Sequence, residues 1–258
     1  MNTLIRTASA PAASWRRVLR PYRAELLAEL RRAWRTPAFA VPSLLFPVLF
    51  YLLFGVLLGR GHAPLYLLAT YCVFGAMAPA LFGFGVQLAL DREGGLLTLK
   101  RALPMPAAAP LLARLAMAVM FALLVALLLI GVARVLGGVQ LQAFQMVQLL
   151  AVAGLAALPL GAIGLLIGSH VSASAAPAMV NLVYLPLALL SGLWLPLSVL
   201  PTLFSTMAPL WPTWHLAQLA LPVVGLPSVG SLAGHLLVLL AVTVVALLLA
   251  RRRLRRIG

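Results

Sequence analysis

Acidic residues are almost absent from this chain. Among 258 residues there are four, Glu25, Glu29, Asp91 and Glu93, and charged residues of both signs make up only 9%. Soluble domains carry about 25% charged residues, so a water-soluble globule is excluded. Lysine and cysteine occur once each, as Lys100 and Cys72. A lone cysteine forms no internal disulfide. With Leu99 in front of Lys100 there is no Gly-x-x-x-x-Gly-Lys-Ser/Thr loop, so nothing here cradles the phosphates of a nucleotide. The four histidines, His62, His170, His215 and His235, lack HxxxH and HExxH spacing, and no metal or other cofactor is expected on this chain. No Ser-His-Asp set can be argued either, so no catalytic residue is expected. Finally, no Asp, Glu or Lys lies in the middle of a long apolar run. Ion-coupled secondary transporters usually carry ionisable groups there, so that class is disfavoured.

What is abundant is apolar surface: 64% hydrophobic residues and a mean hydropathy of +1.09. The solvent of such a chain is mostly lipid. A helix crossing a hydrocarbon core of about 30 Å needs about 20 residues. Six stretches qualify, near 39–58, 65–90, 111–136, 144–168, 178–200 and 231–250. The expected fold is an all-α membrane protein, with six transmembrane helices forming one domain over 37–250. Residues 201–228 are also apolar, but Pro201, Pro209, Pro212, Pro222 and Pro227 cut them into pieces of one to three turns. Such pieces are too short to cross and read as a re-entrant or interfacial helical segment. Trp211, Trp214 and His215 are then expected at headgroup depth.

The net charge of +15 is concentrated, not spread over a polar face. Seventeen of the nineteen Lys and Arg fall in 1–35, in 92–114 or in the "RRRLRR" of 251–256. With six crossings all three groups lie on one side, which the positive-inside rule makes cytoplasmic, together with both termini. Anionic headgroups, not nucleic acid, are the expected partners of this charge. Residues 1–35 hold eight arginines and lack an apolar core of 7–15 residues, so no cleavable signal is expected there. Residues 1–20 read as a flexible basic tail. Residues 21–36 read as an amphipathic interfacial helix, with Leu26, Leu27, Leu30, Ala33 and Trp34 on one face and Glu25, Glu29, Arg32 and Arg35 largely on the other.

Half of the acids lie within three residues, in "LALDREGGLLTLKRALPMPAAAP" from Leu88. The connection 91–110 is not a flexible polar linker. Gly94-Gly95 breaks the second span, and Leu96, Leu97, Leu99 and Leu103 alternate with Thr98, Lys100 and Arg101 before Pro104 and Pro106. On the residues alone this is a short amphipathic helix, either a passive interfacial one or one gripped from the cytosol.

The order of these parts carries a resemblance. A basic amphipathic helix leads into a proline-bearing span ("AFAVPSLLFPVLFYLLFG") and then "DREGGLLTLKRALPMP". After these come three spans, "SGLWLPLSVLP", a broken apolar region, a last span and a basic tail. From about Glu25 onward the chain resembles the membrane subunit of type-two ABC exporters. The family's loop reads acidic-Arg-Glu-x-Gly-Thr-Leu-Glu; Asp91, Arg92, Glu93 and Gly95 match, while Leu96 and Thr98 depart from it. The resemblance implies an exporter driven by a separate ATPase, present in two copies, which holds the ATP and Mg. Glu25, Glu29, Asp91, Arg92, Glu93, Leu97, Lys100 and Arg101 are then the expected ATPase-coupling residues. It also implies a second permease copy, most simply a homodimer, in the bacterial cytoplasmic membrane. The implied cargo is an amphipathic small molecule or lipid, with polysaccharide or lipid-linked glycan as the alternative. An ion-coupled transporter or a membrane assembly scaffold is the alternative of another class.

Two further patterns bear on packing and path. Gly164-x-x-x-Gly168, with Gly161 a turn earlier, allows close helix approach, within the subunit or between subunits. In the fifth span Asn181, Tyr184, Ala188 and Ser191 fall within about 80° of one another at 100° per residue, near Ser174 and Pro177. Polar groups are costly against lipid, so this stripe reads as an interhelical seam or as a candidate translocation path. The resemblance favours the path, because it puts the first and fifth spans at the dimer interface.

Overall fold

The computed structural model describes residues 15–103, 105–106 and 108–257, with the side chains of 15–18, Arg101 and Ile257 outside the description. The regular elements among the described residues are all helices, without strands. An amphipathic helix, α1 (Trp15–Arg35), is followed by α2 (Pro37–Phe50), whose last turns widen into a π-helical segment, Tyr51–Leu57. Then come α3 (Ala63–Glu93), the short α4 (Leu96–Ala102), α5 (Ala109–Val135), α6 (Ala143–His170) and α7 (Ala176–Leu190). Two short helices, α8 (Thr202–Met207) and α9 (Pro212–Ala220), precede α10 (Leu232–Ile257). The interfacial helix begins six residues before the boundary expected at Pro21, and that proline lies inside it.

Five helices are long and apolar enough to cross a membrane: Pro37–Leu57, α3, α5, α6 and Leu232–Arg256. The stretch 178–200, expected as one span, is not one helix. α7 has 15 residues, about 22 Å at 1.5 Å per residue. It ends at Gly192, whose φ of +78° belongs to the left-handed region that favours glycine. The Gly192 N–H donates to the Leu189 carbonyl (3.2 Å) and the Leu193 N–H to the Ala188 carbonyl (3.1 Å), the paired bonds that close a helix around a left-handed residue. Tyr66 and Tyr71 on α3 then hold the outgoing chain, their hydroxyls donating to the Gly192 and Trp194 carbonyls at 2.8 and 3.1 Å. Hydropathy runs across Ser191-Gly192 without a break; the stop is written in backbone conformation.

α3 is the central post, with 78% of its most apolar stretch buried, against 28% for the α2–π helix and 17% for α10. It is rich in small residues, which let neighbours approach to backbone contact. A Cβ at Gly168 would stand 2.2 Å from the Gly85 carbonyl oxygen, and one at Gly164 would stand 2.8 Å from that of Leu81. The Gly161/Gly164/Gly168 row is therefore the seam between α6 and α3 of one chain.

The proline-cut region folds into short helices, as its punctuation predicts. α9 is not an exposed surface helix, however. All nine of its residues are buried, against α10, α3 and α6. Trp214 and His215 belong to the interior, and Trp211 is half-buried. Composition shows that such a piece is too short to cross, but not which neighbours cover it.

Candidate functional site

Where α3 ends, α1, α5 and α4 meet around a cluster of charge. Arg114, one turn into α5, is only 2% exposed, and the carboxylates it meets, Glu29 of α1 and Asp91 of α3, are each 4% exposed. Its Nε donates to Glu29 Oε1 at 3.2 Å, and its Nη2 pairs with Asp91 Oδ2. Arg32 closes the ring, donating from Nη2 to Asp91 Oδ1 at 3.2 Å and standing 4.0 Å from Glu29 Oε1. Two cations and two anions thus balance, with Arg114, Glu29 and Asp91 buried and Arg32 reaching in from the surface, and such pairing offsets the cost of burying charge. The cluster ties α1 to α3 and α5.

Arg114 did not stand out in the sequence. Counted as one more cytoplasmic cation, it is in fact the hub of the cluster. The usable signal was its position inside an apolar helix of a chain with few acids, because an ionisable group there needs a partner.

The expected coupling residues divide into two sets. Glu29 and Asp91 are buried in the cluster rather than turned outward. Glu25 accepts from Lys100 Nζ at 2.7 Å, fastening α4 back onto α1. Leu97 packs inward against the main core. Arg92 lies across the C-terminal end of α6, donating to the carbonyls of Gly168, Ser169 and Val171 at 3.2, 2.8 and 2.5 Å. Cations are favoured at that end, where the last carbonyls lack helical partners. Glu93 is different: half exposed, it accepts from the Ala173 N–H at 3.0 Å and faces outward. The exposed apolar residues of the elbow are Leu99 and Leu103, a pair the sequence reading included in the amphipathic helix without singling out. Gly95, with φ of +73°, makes the reversal between α3 and α4. The Arg101 side chain lies outside the described residues.

Beside this cluster is a cavity of about 550 Å³ between the start of α2, α3 and α7. Its wall includes Thr36, Phe39, Ser43, Phe46, Phe82, Gln87, Pro177, Asn181 and Tyr184. Asn181 and Tyr184 of the expected path thus line one space with α2, the first apolar helix. The other half of the stripe does not join them. Ala188 and Ser191 are buried in the bundle, and the Ser191 hydroxyl donates to the Leu187 carbonyl at 2.5 Å. A 100° wheel treats a helix as if it had one neighbour throughout; α7 changes neighbours halfway along.

A bundle of long apolar helices with an amphipathic helix and a charged elbow at one end has the make-up of an integral membrane protein. A family model described as ABC-2 type transporter matches residues 22–224, and the chain belongs to that family. It is also similar to "Putative transport permease YvfS" of Bacillus subtilis (strain 168), at 26% identity over 199 residues, 73% of this chain and 79% of that protein. The kinship expected from the order of spans and from Asp91-Arg92-Glu93 therefore holds.

Proposed function

We propose that this chain is the membrane-spanning permease of an ATP-driven exporter, moving an amphipathic small molecule or lipid out of the cytoplasm or inner leaflet. It acts as a homodimer with two ATPase subunits, which hold the ATP and Mg, in the bacterial cytoplasmic membrane. Both termini are cytoplasmic. Six crossings follow if α7 together with the chain to Leu200 completes the fifth. Two contacts support that count: Ala173, just before α7, bonds Glu93, and Leu254 of α10 shares a pocket with Lys100 and Arg114. The chain between must then return to the opposite end of the bundle. The segment 201–228 stays on that side as a re-entrant element.

The elbow carries this reading. Glu93 at the end of α3, Leu99 on the short α4 and Leu103 just after it are exposed, while the other face of α4 is fastened to the bundle by Lys100–Glu25 and by Leu97. A push on that face is transmitted through the buried cluster to α1, α3 and α5 instead of being absorbed by a loose loop. Glu93→Lys inverts the exposed charge and removes the acceptor for Ala173. Expected in proteoliposomes with the ATPase is normal membrane insertion with ATP-driven export reduced at least tenfold. Normal export by this variant would overturn the coupling role.

For the path, Asn181 is exposed on an apolar helix, a costly placement against lipid. Water, cargo or a second copy therefore covers this face. Single cysteines at 181, 184 and 191 in a Cys72→Ala background test this. Positions 181 and 184 are expected to react with a small thiol reagent and to be shielded by cargo, while 191 stays unreactive. Equal reactivity at all three positions, or no shielding at 181 and 184, would remove the path from this cavity.

A further inference from the structure

His215 and His235 lie twenty residues apart in sequence, outside any metal-ligand spacing, and the fold brings them into contact. His215, on α9, and His235, in the first turn of α10, are 8% and 5% exposed. Their Nδ1 atoms are 2.8 Å apart. The remaining nitrogen of each ring meets a backbone carbonyl: His215 Nε2 lies 3.0 Å from the Pro209 oxygen, and His235 Nε2 lies 2.9 Å from the Val229 oxygen. Rotating either ring by half a turn would put carbon where nitrogen now meets its partner, so the contacts themselves select this orientation.

The proton count follows from the partners. A carbonyl oxygen only accepts, so both Nε2 atoms must carry hydrogen. The Nδ1–Nδ1 contact requires one more proton, because two bare nitrogens would oppose their lone pairs and two N–H groups would collide. Three hydrogen bonds thus need three ring protons, and two neutral imidazoles supply only two. We propose that His215 and His235 form a binding site for one proton, held as a shared imidazole–imidazolium pair that latches α9 to α10.

The surroundings fit one positive charge and not two. Two backbone carbonyls point at the pair. The Trp214 ring stands nearly perpendicular to both imidazoles, 5.0 and 5.5 Å between centroids, and covers the pair. Burial lowers the His215 pKa, the Pro209 carbonyl acts the opposite way, and the charge of His235 lowers it further; burial opposes the first proton as well as the second, and the three hydrogen bonds must outweigh it. The elements packed on α9 bring other titratable groups: Tyr66, Tyr71 and Cys72 from α3, Tyr184 from α7, and His170 at the far end of α6. The carboxylates, which could neutralise a cation, are occupied elsewhere. Glu25 pairs with Lys100, Glu29 and Asp91 with Arg114, and Glu93 with the Ala173 N–H.

The latch also has a defined place. Leu254, which shares a pocket with Arg114, lies about 28 Å further along α10 at 1.5 Å per residue. The pair is thus at the opposite end of the bundle from the ion cluster, and it holds the turn at Pro209, α9, the loop at Val229 and α10 together. That the proton comes from outside the cell rests on the orientation proposed above; the site itself does not.

Linkage gives a distinctive pH signature. The folded pair holds one proton, whereas two unfolded histidines hold one between them only at their ordinary pKa of about 6.5. Above that pH the unfolded chain binds fewer protons than the folded pair, so stability falls as pH rises. Below it the unfolded chain binds more, so stability falls as pH drops. The pair's contribution therefore peaks near pH 6.5 and declines on both sides, approaching a tenfold change in the folding equilibrium per pH unit. A single buried neutral histidine would decline on the acid side only.

The test uses the full chain in lipid nanodiscs with 15N-labelled histidine. Near pH 6.5 a scalar coupling between the two Nδ1 nuclei and protonation of both Nε2 atoms are expected. The coupling should vanish in His215→Gln and in His235→Gln, while the histidine that remains keeps its Nε2 proton on its carbonyl. Two independent neutral rings without coupling would overturn the proposal. The difference in unfolding equilibrium between the native chain and the His215→Gln/His235→Gln variant should peak near pH 6.5. A flat or one-sided difference would also overturn it, and if that variant does not fold, the spectrum of the native chain decides alone.

Discussion

Replacing Arg114 with methionine is expected to destabilise the protein by about 3–5 kcal/mol, the range for removing one partner from a buried ion pair. The guanidinium is 2% exposed and stands between Glu29 and Asp91. Without it two carboxylates remain in the pocket with only Arg32, which is itself more than a third exposed. The loss comes from stranded charge rather than from a missing attraction, so it should be reversible by removing that charge. Adding Glu29→Gln and Asp91→Asn to Arg114→Met is expected to recover most of the stability. Equilibrium unfolding in mixed micelles measures both steps. A single variant within about 1 kcal/mol of the native chain would show that the cluster is hydrated rather than buried.

The second large effect belongs to Arg92. Its guanidinium reaches three carbonyls at the end of α6, those of Gly168, Ser169 and Val171. Hydrogen bonds from a charged donor contribute about 1.5–3 kcal/mol each. Water replaces part of that at this half-buried end, and Arg92→Ala is expected to cost about 3 kcal/mol in all. Arg92→Lys should recover only a fraction, since an ammonium is a point charge and cannot span three acceptors as the planar fork does. The same unfolding measurement reads the loss, and amide exchange at 168–173 locates it. If exchange there is unchanged in Arg92→Ala, the arginine acts outward instead, toward a partner of the elbow.

Both arginines bear on what was legible beforehand. Asp91-Arg92-Glu93 marked the elbow, and the resemblance gave it a role as a contact surface. The three side chains do different work. Asp91 is buried, Arg92 is a strut to α6, and Glu93 faces out. Adjacent residues at the end of a helix point about 100° apart. A motif read as one surface is therefore split among several neighbours when helices pack around it. The same holds for α7, where a single stripe is divided between a cavity and the core.

The sequence by itself determined the solvent, the helical class and the family. Lipid removes every way to satisfy a backbone except internal hydrogen bonding, so long apolar runs leave little choice but helices. Proline punctuation likewise settled that 201–228 forms short pieces. Only the tertiary structure decided which charges are partners, which helices cover α9 and where α7 stops. Arg114 lies 85 residues from Glu29 and 23 from Asp91, and the histidines lie 20 apart. Such pairings depend on which helix faces are brought together. In a chain where nearly every face is apolar, hydropathy does not distinguish one face from another. Backbone contact at Gly164 and Gly168 does, because a Cβ at either would collide with a carbonyl oxygen of α3, so these positions select the faces on which α3 and α6 close.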